Sequence, residues 1–204
     1  MKIFSFNHLR FIKNHSKTFY QWSKRQFSEP SPEVIKRQVL FNHSIRHAIW
    51  VETGTYLGDT TQFLSKEASF VYSIEPDPNL FRRAEGRFRH VKNIKIINGL
   101  SEEVLPRLLS EIRGEVNFWL DGHDSGGLTH KGPQETPIVD ELRCISAHRN
   151  NFSKFVIFID DARLFTPLHN DFTGAYPTLD YLVDWSRENR LSWNLTQDIF
   201  IAGS

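Results

Sequence analysis

Five apolar, β-rich runs punctuate this chain, and each closes on a polar side chain. The run from Ala48 to Val51 leads to Glu52, Phe70 to Ile74 leads to Glu75, and Ile94 to Ile97 leads to Asn98. Val116 to Leu120 leads to Asp121, and Phe155 to Ile159 leads to Asp160. Runs this short and this continuously apolar suit strands buried on both faces of a parallel sheet. Between them the hydrophobic period becomes helical, over Asp59 to Ala68, Pro78 to Arg89, Ser101 to Ile112, Pro137 to His148 and Thr178 to Asn189. Ser101-Glu102-Glu103-Val104 places acids in a first helical turn. Ser192 to Leu195 and Ile199 to Ala202, around a short polar turn, predict a closing antiparallel hairpin.

This alternation predicts an α/β fold: a doubly wound, Rossmann-like, mostly parallel sheet with right-handed crossovers, ordered 3-2-1-4-5 over its first five strands. Ligands of such sheets bind outside the carboxyl ends of the strands, where the winding direction reverses. Here that edge carries Glu52, Glu75, Asn98, Asp121 and Asp160. Two long loops, 122–136 and 162–177, follow the fourth and fifth strands, and loops of that length inside a compact domain usually carry function.

Residues 1–45 differ in character. Leu9, Ile12, Phe19 and Trp22 recur at roughly helical spacing, Ser28-Glu29-Pro30-Ser31-Pro32 breaks the pattern, and a second short helix runs from Glu33 to Phe41. Before Glu29 stand Lys2, Arg10, Lys13, Lys17, Lys24 and Arg25, with no acid. We read this segment as a helical extension acting as a lid or a homodimer contact, and residues 46–204 as the ligand-binding domain.

Composition narrows the class. A chain of 204 residues, 39% hydrophobic, suits one well-cored domain. A formal net charge of +1 offers no global reason to expect nucleic acid. Cys144 is the only cysteine, which excludes an internal disulfide and a thiolate metal cluster; its place among Ile138, Leu142 and Ile145 makes it a core residue. No apolar run is long enough for a secretion signal or a membrane span, so a cytoplasmic protein is expected.

The loop after the first strand carries Gly54 and Gly58 but neither a G-x-G-x-x-G dinucleotide fingerprint nor a G-K-[ST] phosphate loop. Its Glu-x-Gly-x-Tyr-x-Gly, from Glu52 to Gly58, resembles the first motif of class I S-adenosylmethionine-dependent methyltransferases, in particular the catechol-type and macrolide-sugar (macrocin-type) O-methyltransferases. The resemblance spans roughly residues 48 to 202 and implies S-adenosyl-L-methionine as cofactor. It places Glu52, Gly54, Tyr56 and Gly58 around the methionine portion, Glu75 on the ribose hydroxyls, and Gly99 and Ser101 by the adenine. A carboxylate suits the cofactor's ammonium, and glycines allow close backbone approach. Taken singly, the glycines also read as turn residues and the acids as helix caps.

Chemistry is expected at Asp121-Gly122-His123-Asp124 and Asp160-Asp161. Carboxylates converging there repel one another unless a cation or protons intervene. Oxygen ligands of this kind suit Mg²⁺, and the resemblance implies a divalent metal on Asp121, Asp160 and Asp161 that positions a small-molecule or sugar hydroxyl. The chain departs from the catechol pattern in Gly122-His123, with no lysine base beside it. His123 and Asp121 are therefore the candidate catalytic residues, with Asp124 as an orienting group. His130, Lys131, His169 and Asp171 lie in the two long loops, where they read either as substrate contacts or, for most of them, as solvated loop residues. Two other readings stand beside this one: a non-catalytic cofactor-binding or interaction module, and another nucleotide-cofactor enzyme on a similar sheet, which the glycine spacing disfavours.

Overall fold

The computed structural model describes residues 15–121, 136–166 and 176–204. Within them the strands β1 (Ile49–Thr53), β2 (Phe70–Glu75), β3 (Ile94–Asn98), β4 (Gly114–Leu120), β5 (Phe152–Ile159), β6 (Ser192–Thr196) and β7 (Ile199–Gly203) form one sheet, ordered β3-β2-β1-β4-β5-β7-β6. The first five are mutually parallel, and β7 runs antiparallel to both β5 and β6. This is the predicted doubly wound sheet, with its reversal between β1 and β4 and its closing hairpin.

The helices are α1 (Ser16–Lys24), α2 (Glu33–His43), α3 (Asp59–Leu64), α4 (Pro78–Phe88), α5 (Ser101–Glu111), α6 (Ile138–His148) and α7 (Leu179–Glu188). Local chemistry sets several of their starts. Asp77 accepts from the Asn79 and Leu80 N–H groups at 2.8 Å with Pro78 following, a strong N-terminal signal for α4. Thr178 caps α7 in the same manner through the Tyr181 N–H. Helix α3 ends before the predicted Ala68, because its last turn loosens and Ser69 N–H reaches Ala48 O at 3.1 Å to feed β2.

Each face of the sheet has its own cover. On one, α5, α6 and α7 bury Leu105, Leu109, Leu142, Ile145 and Leu182 against Val51, Phe118, Ile157 and Phe200. On the other, Trp50, Trp119, Val156, Phe158, Ile199 and Ile201 meet Val39 and Leu40 of α2 together with Leu64 of α3. Helix α2, from the basic segment, is thus continuous with the core. The chain after it is pinned to β4 by buried Asn117, whose amide accepts from Ile45 N–H and donates to Ile45 O, both at 2.9 Å. Ser31 Oγ hydrogen bonds to Gln197 Oε1 at 2.9 Å, tying the same segment to the β6–β7 turn. Cys144, on α6, is partly buried against the core, and burial pushes its thiol up to about 11, which keeps it unreactive at neutral pH. No helix among the described residues is long and apolar enough to cross a membrane.

Candidate functional site

Parallel register brings the strand ends together. Thr53 pairs with Leu120 and Leu120 with Ile159, so Asp121 and Asp160 follow at neighbouring positions on the edge where the sheet order reverses. Glu52 pairs with Trp119 and projects, one residue deeper, to the face that α2 and α3 cover.

The first loop is held by the end of β2. Gly54 and Thr55 N–H groups reach Ile74 O at 3.0 and 3.2 Å, with Gly54 at φ 85°, where only glycine is unstrained. Tyr56 N–H donates to Glu75 Oε2 at 2.7 Å and Asp77 N–H to Glu75 Oε1 at 2.9 Å. Two of the carboxylate's roughly four acceptor positions are thereby used, leaving acceptor capacity for other donors. Burial raises the Glu75 carboxyl above its ordinary value, against those two N–H bonds. Asn98 Nδ2 donates to Glu75 O at 2.8 Å, drawing Gly99 and Ser101, at the start of α5, to the same corner. The structure thus gathers Gly54, Tyr56, Glu75, Gly99 and Ser101 at the ends of β1, β2 and β3.

Gly58 has a different reason to be glycine. A Cβ there would lie 2.6 Å from Cε2 of the Phe88 ring, so the close approach is an internal one, between α3 and α4.

Glu52 is fully buried. Its Oε2 accepts from Thr61 Oγ1 at 2.5 Å and Ser73 Oγ at 2.6 Å, while its Oε1 has no hydrogen-bond partner among the described residues. Burial pushes this carboxyl up to about 8; the two hydroxyls oppose the shift, and Asp121 and Glu75 add to it.

The carboxylates after β5, to which the divalent-metal expectation attaches, are engaged by basic side chains of the chain itself. Lys36 of α2 places its Nζ 2.6 Å from Asp160 Oδ1 and 2.9 Å from Asp161 Oδ1, with every partner almost wholly buried. Arg163 donates to Asp161 Oδ1 at 2.7 Å and also to Asp198, which anchors the β6–β7 turn. Burial works to lower the Lys36 ammonium's proton affinity, but Asp160 and Asp161 outweigh it and hold it above its ordinary value. Burial and Asp121 raise the Asp160 carboxyl, against Lys36. Among the described residues no group of three or more His, Cys, Asp or Glu side chains is placed to hold a metal ion. Asp121, Asp160 and Asp161 do converge as predicted; the cation beside the latter two is a lysine.

Beside them a small cavity is lined by Asp121, Thr136, Glu141, Asp160, Phe165 and Tyr176, among others. Phe165 and Tyr176 meet edge to face at 5.5 Å. Glu141 is 1% exposed, and burial pushes its carboxyl up to about 7, with Asp121 among the charges that add to the shift. A carboxyl poised there is suited to taking a proton near neutral pH. His123, Asp124, His130, Lys131, His169 and Asp171 lie outside the described residues.

Lys36 and Glu141 escape a reading by strand ends. Both leave a signal in helical spacing, since Lys36 falls in register with Val39 and Leu40, and Glu141 stands among Ile138, Leu142 and Ile145. A charged residue inside a buried stripe requires a partner.

No protein-family model and no curated protein matches this sequence. Solved structures do match. One from Staphylococcus aureus, described as a caffeoyl-CoA O-methyltransferase, aligns over 97% of this chain and 98% of its own at 10% identity and a TM-score of 0.52. A Streptococcus mutans protein described as a methyltransferase and solved with SAH aligns over 86% of this chain and 97% of its own, at 12% identity and a TM-score of 0.51. The 23S rRNA methyltransferase ErmE aligns over 86% of this chain and 68% of its own, at 13% identity and a TM-score of 0.50. At such identities the likeness is one of architecture, and it matches the strand order and the closing hairpin described above: the chain has the Rossmann-like methyltransferase fold.

Proposed function

We propose that this protein is a class I S-adenosylmethionine-dependent methyltransferase acting on a hydroxyl of a small molecule or sugar. The observation that carries the reading is Glu52, a fully buried carboxylate at the switch point with one oxygen unpartnered among the described residues. Together with Glu75 and Asp121 it makes this edge rich in carboxyl groups, and such a group calls for a cationic ligand or a proton. S-adenosylmethionine carries both an ammonium and a sulfonium.

Bound there, the cofactor supplies an electrophilic methyl group that an acceptor oxygen takes, with release of S-adenosylhomocysteine. Glu52 faces the ammonium, and Gly54 and Tyr56 shape the loop around the methionine portion. Glu75 accepts from the ribose hydroxyls, and Gly99 and Ser101 flank the adenine. The cavity beside Asp121 and Glu141 receives the acceptor, and these carboxyls, with His123, are the groups assigned to take the hydroxyl proton. The chain's contribution is alignment and proton removal. No step is assigned to a metal. The first helix of the extension and the turn after it leave Tyr20 and Phe27 exposed, which supports assigning this segment to a lid or homodimer contact.

A second reading exchanges the acceptor for RNA, favoured by Lys17, Lys24 and Arg25 in and beside α1. Steep loss of binding to a short RNA with added salt would support it, whereas salt-insensitive turnover of a small hydroxyl compound would support the first.

Glu75→Ala tests the cofactor assignment. The variant is expected to bind S-adenosylmethionine more weakly by about 1.5–3 kcal/mol, the range for hydrogen bonds to a charged group. Unchanged affinity in a folded Glu75→Ala protein, measured by calorimetry, would remove the ribose assignment.

A further inference from the structure

The carboxylates that end β5 sit beside Asp121, and three acids in that arrangement need positive charge nearby. The chain supplies it from a distant part of its own sequence. Lys36 Nζ lies within 2.9 Å of an oxygen of both Asp160 and Asp161, and its side chain is 6% exposed. Arg163 meets the same Asp161 oxygen, Oδ1, at 2.7 Å. A divalent ion bound to Asp160 Oδ1 and Asp161 Oδ1 would have to share their lone pairs with an ammonium in direct contact, at close quarters and away from water. Like charges in such a place repel strongly.

We infer that Lys36 is the resident cation of this site, a tethered ammonium standing where the sequence pattern calls for a divalent metal. The inference rests on the methyltransferase reading only in naming the cavity beside Asp160 as the acceptor's. Lys36 is a positioning residue: it acts through Asp160, which lines that cavity. Two carboxylates occupy two of its three N–H donors and hold them in a fixed arrangement. The geometry also gives α2 a functional place, since the helix that covers one face of the sheet delivers the charge that the edge needs.

Mn²⁺ binding, followed by the electron paramagnetic resonance of the free ion, tests this on the full chain without reference to methyl transfer. Wild type is expected to take up no Mn²⁺ at the β5 end. Lys36→Met, which keeps an unbranched apolar stem, is expected to gain Mn²⁺ affinity by about tenfold or more, the lower end of what a supporting side chain does to a metal site. Lys36→Met combined with Asp160→Asn should lose that gain. A folded Lys36→Met protein with no gain would overturn the inference, as would wild-type Mn²⁺ binding that Asp160→Asn removes. A second measurement uses wild type alone, should the variant not fold. The ¹⁵Nζ resonance of Lys36 is expected to show a solvent-protected ammonium that Mn²⁺ leaves unbroadened. An exchanging amine, or broadening by Mn²⁺, would overturn the inference. Failure of S-adenosylmethionine to bind would count against the proposed function and leave these outcomes untouched.

Discussion

Lys36→Met is expected to destabilise the folded chain by about 3–5 kcal/mol, the cost of leaving one side of a buried ion pair without its partner. Asp160 and Asp161 are too deeply placed for water to stand in for the ammonium. The effect has a pH signature. Without Lys36 the folded-state pKa of Asp160, already raised by burial and by Asp121, rises further above its ordinary value of 3.8. A raised acid contributes stability that is present at low pH and lost as pH climbs through the folded-state value. Wild type loses that stability too as pH rises to about 7, so the gap between variant and wild type should widen above neutrality, where only the variant still gives up stability to ionise Asp160. Adding Asp160→Asn to Lys36→Met should recover part of the loss, because a neutral amide replaces the stranded charge. Urea denaturation at neutral and alkaline pH measures all three proteins; equal losses at both would contradict the ion-pair account.

The second large effect concerns Glu52. Without ligand its carboxyl is raised to about 8 from an ordinary 4.5, so at neutral pH it holds a proton. Apart from the Thr61 and Ser73 hydroxyls, the groups acting on it are the acids Asp121 and Glu75. A ligand ammonium beside Oε1 favours the ionised form, so binding must expel the proton. Cofactor affinity should accordingly weaken as pH falls below about 8, by up to about 1.4 kcal/mol or tenfold per unit, with release approaching one proton. Calorimetry in buffers of different ionisation enthalpy counts that proton. Glu52→Gln keeps the size of the side chain and loses the charge. It should bind more weakly by about 1.5–3 kcal/mol at pH 8 and show no proton release. Proton uptake, or an unchanged pH profile in Glu52→Gln, would contradict the assignment.

Much of the fold was legible because β1, β2, β4 and β5 are buried on both faces, so their apolar runs are nearly continuous and close on acids. The membership of α2 was not legible. Its basic surroundings read as a separate preface, although Val39 and Leu40 are as deeply buried as the strands they cover. Part of the site was visible as a need without a supplier: Asp121, Asp160 and Asp161 called for a cation, but local pattern cannot show that one stands 125 residues away on another element. Gly58 illustrates the converse. Its spacing from Gly54 suggested a loop opened for a ligand, while the space it keeps clear is filled by Phe88 from α4. Glu141 was hidden by α6 itself, whose apolar stripe drew attention away from the one acid facing inward with it.

The most direct test of the central claim is calorimetric titration of the full chain with S-adenosylmethionine, S-adenosylhomocysteine and NAD, at pH 8 and with a chelator present. The account expects the first two to bind at a single site, with Glu75→Ala and Glu52→Gln each weakening that site, and expects no heat from NAD. A folded protein that binds neither sulfur nucleoside, or that binds NAD in their place, would contradict it.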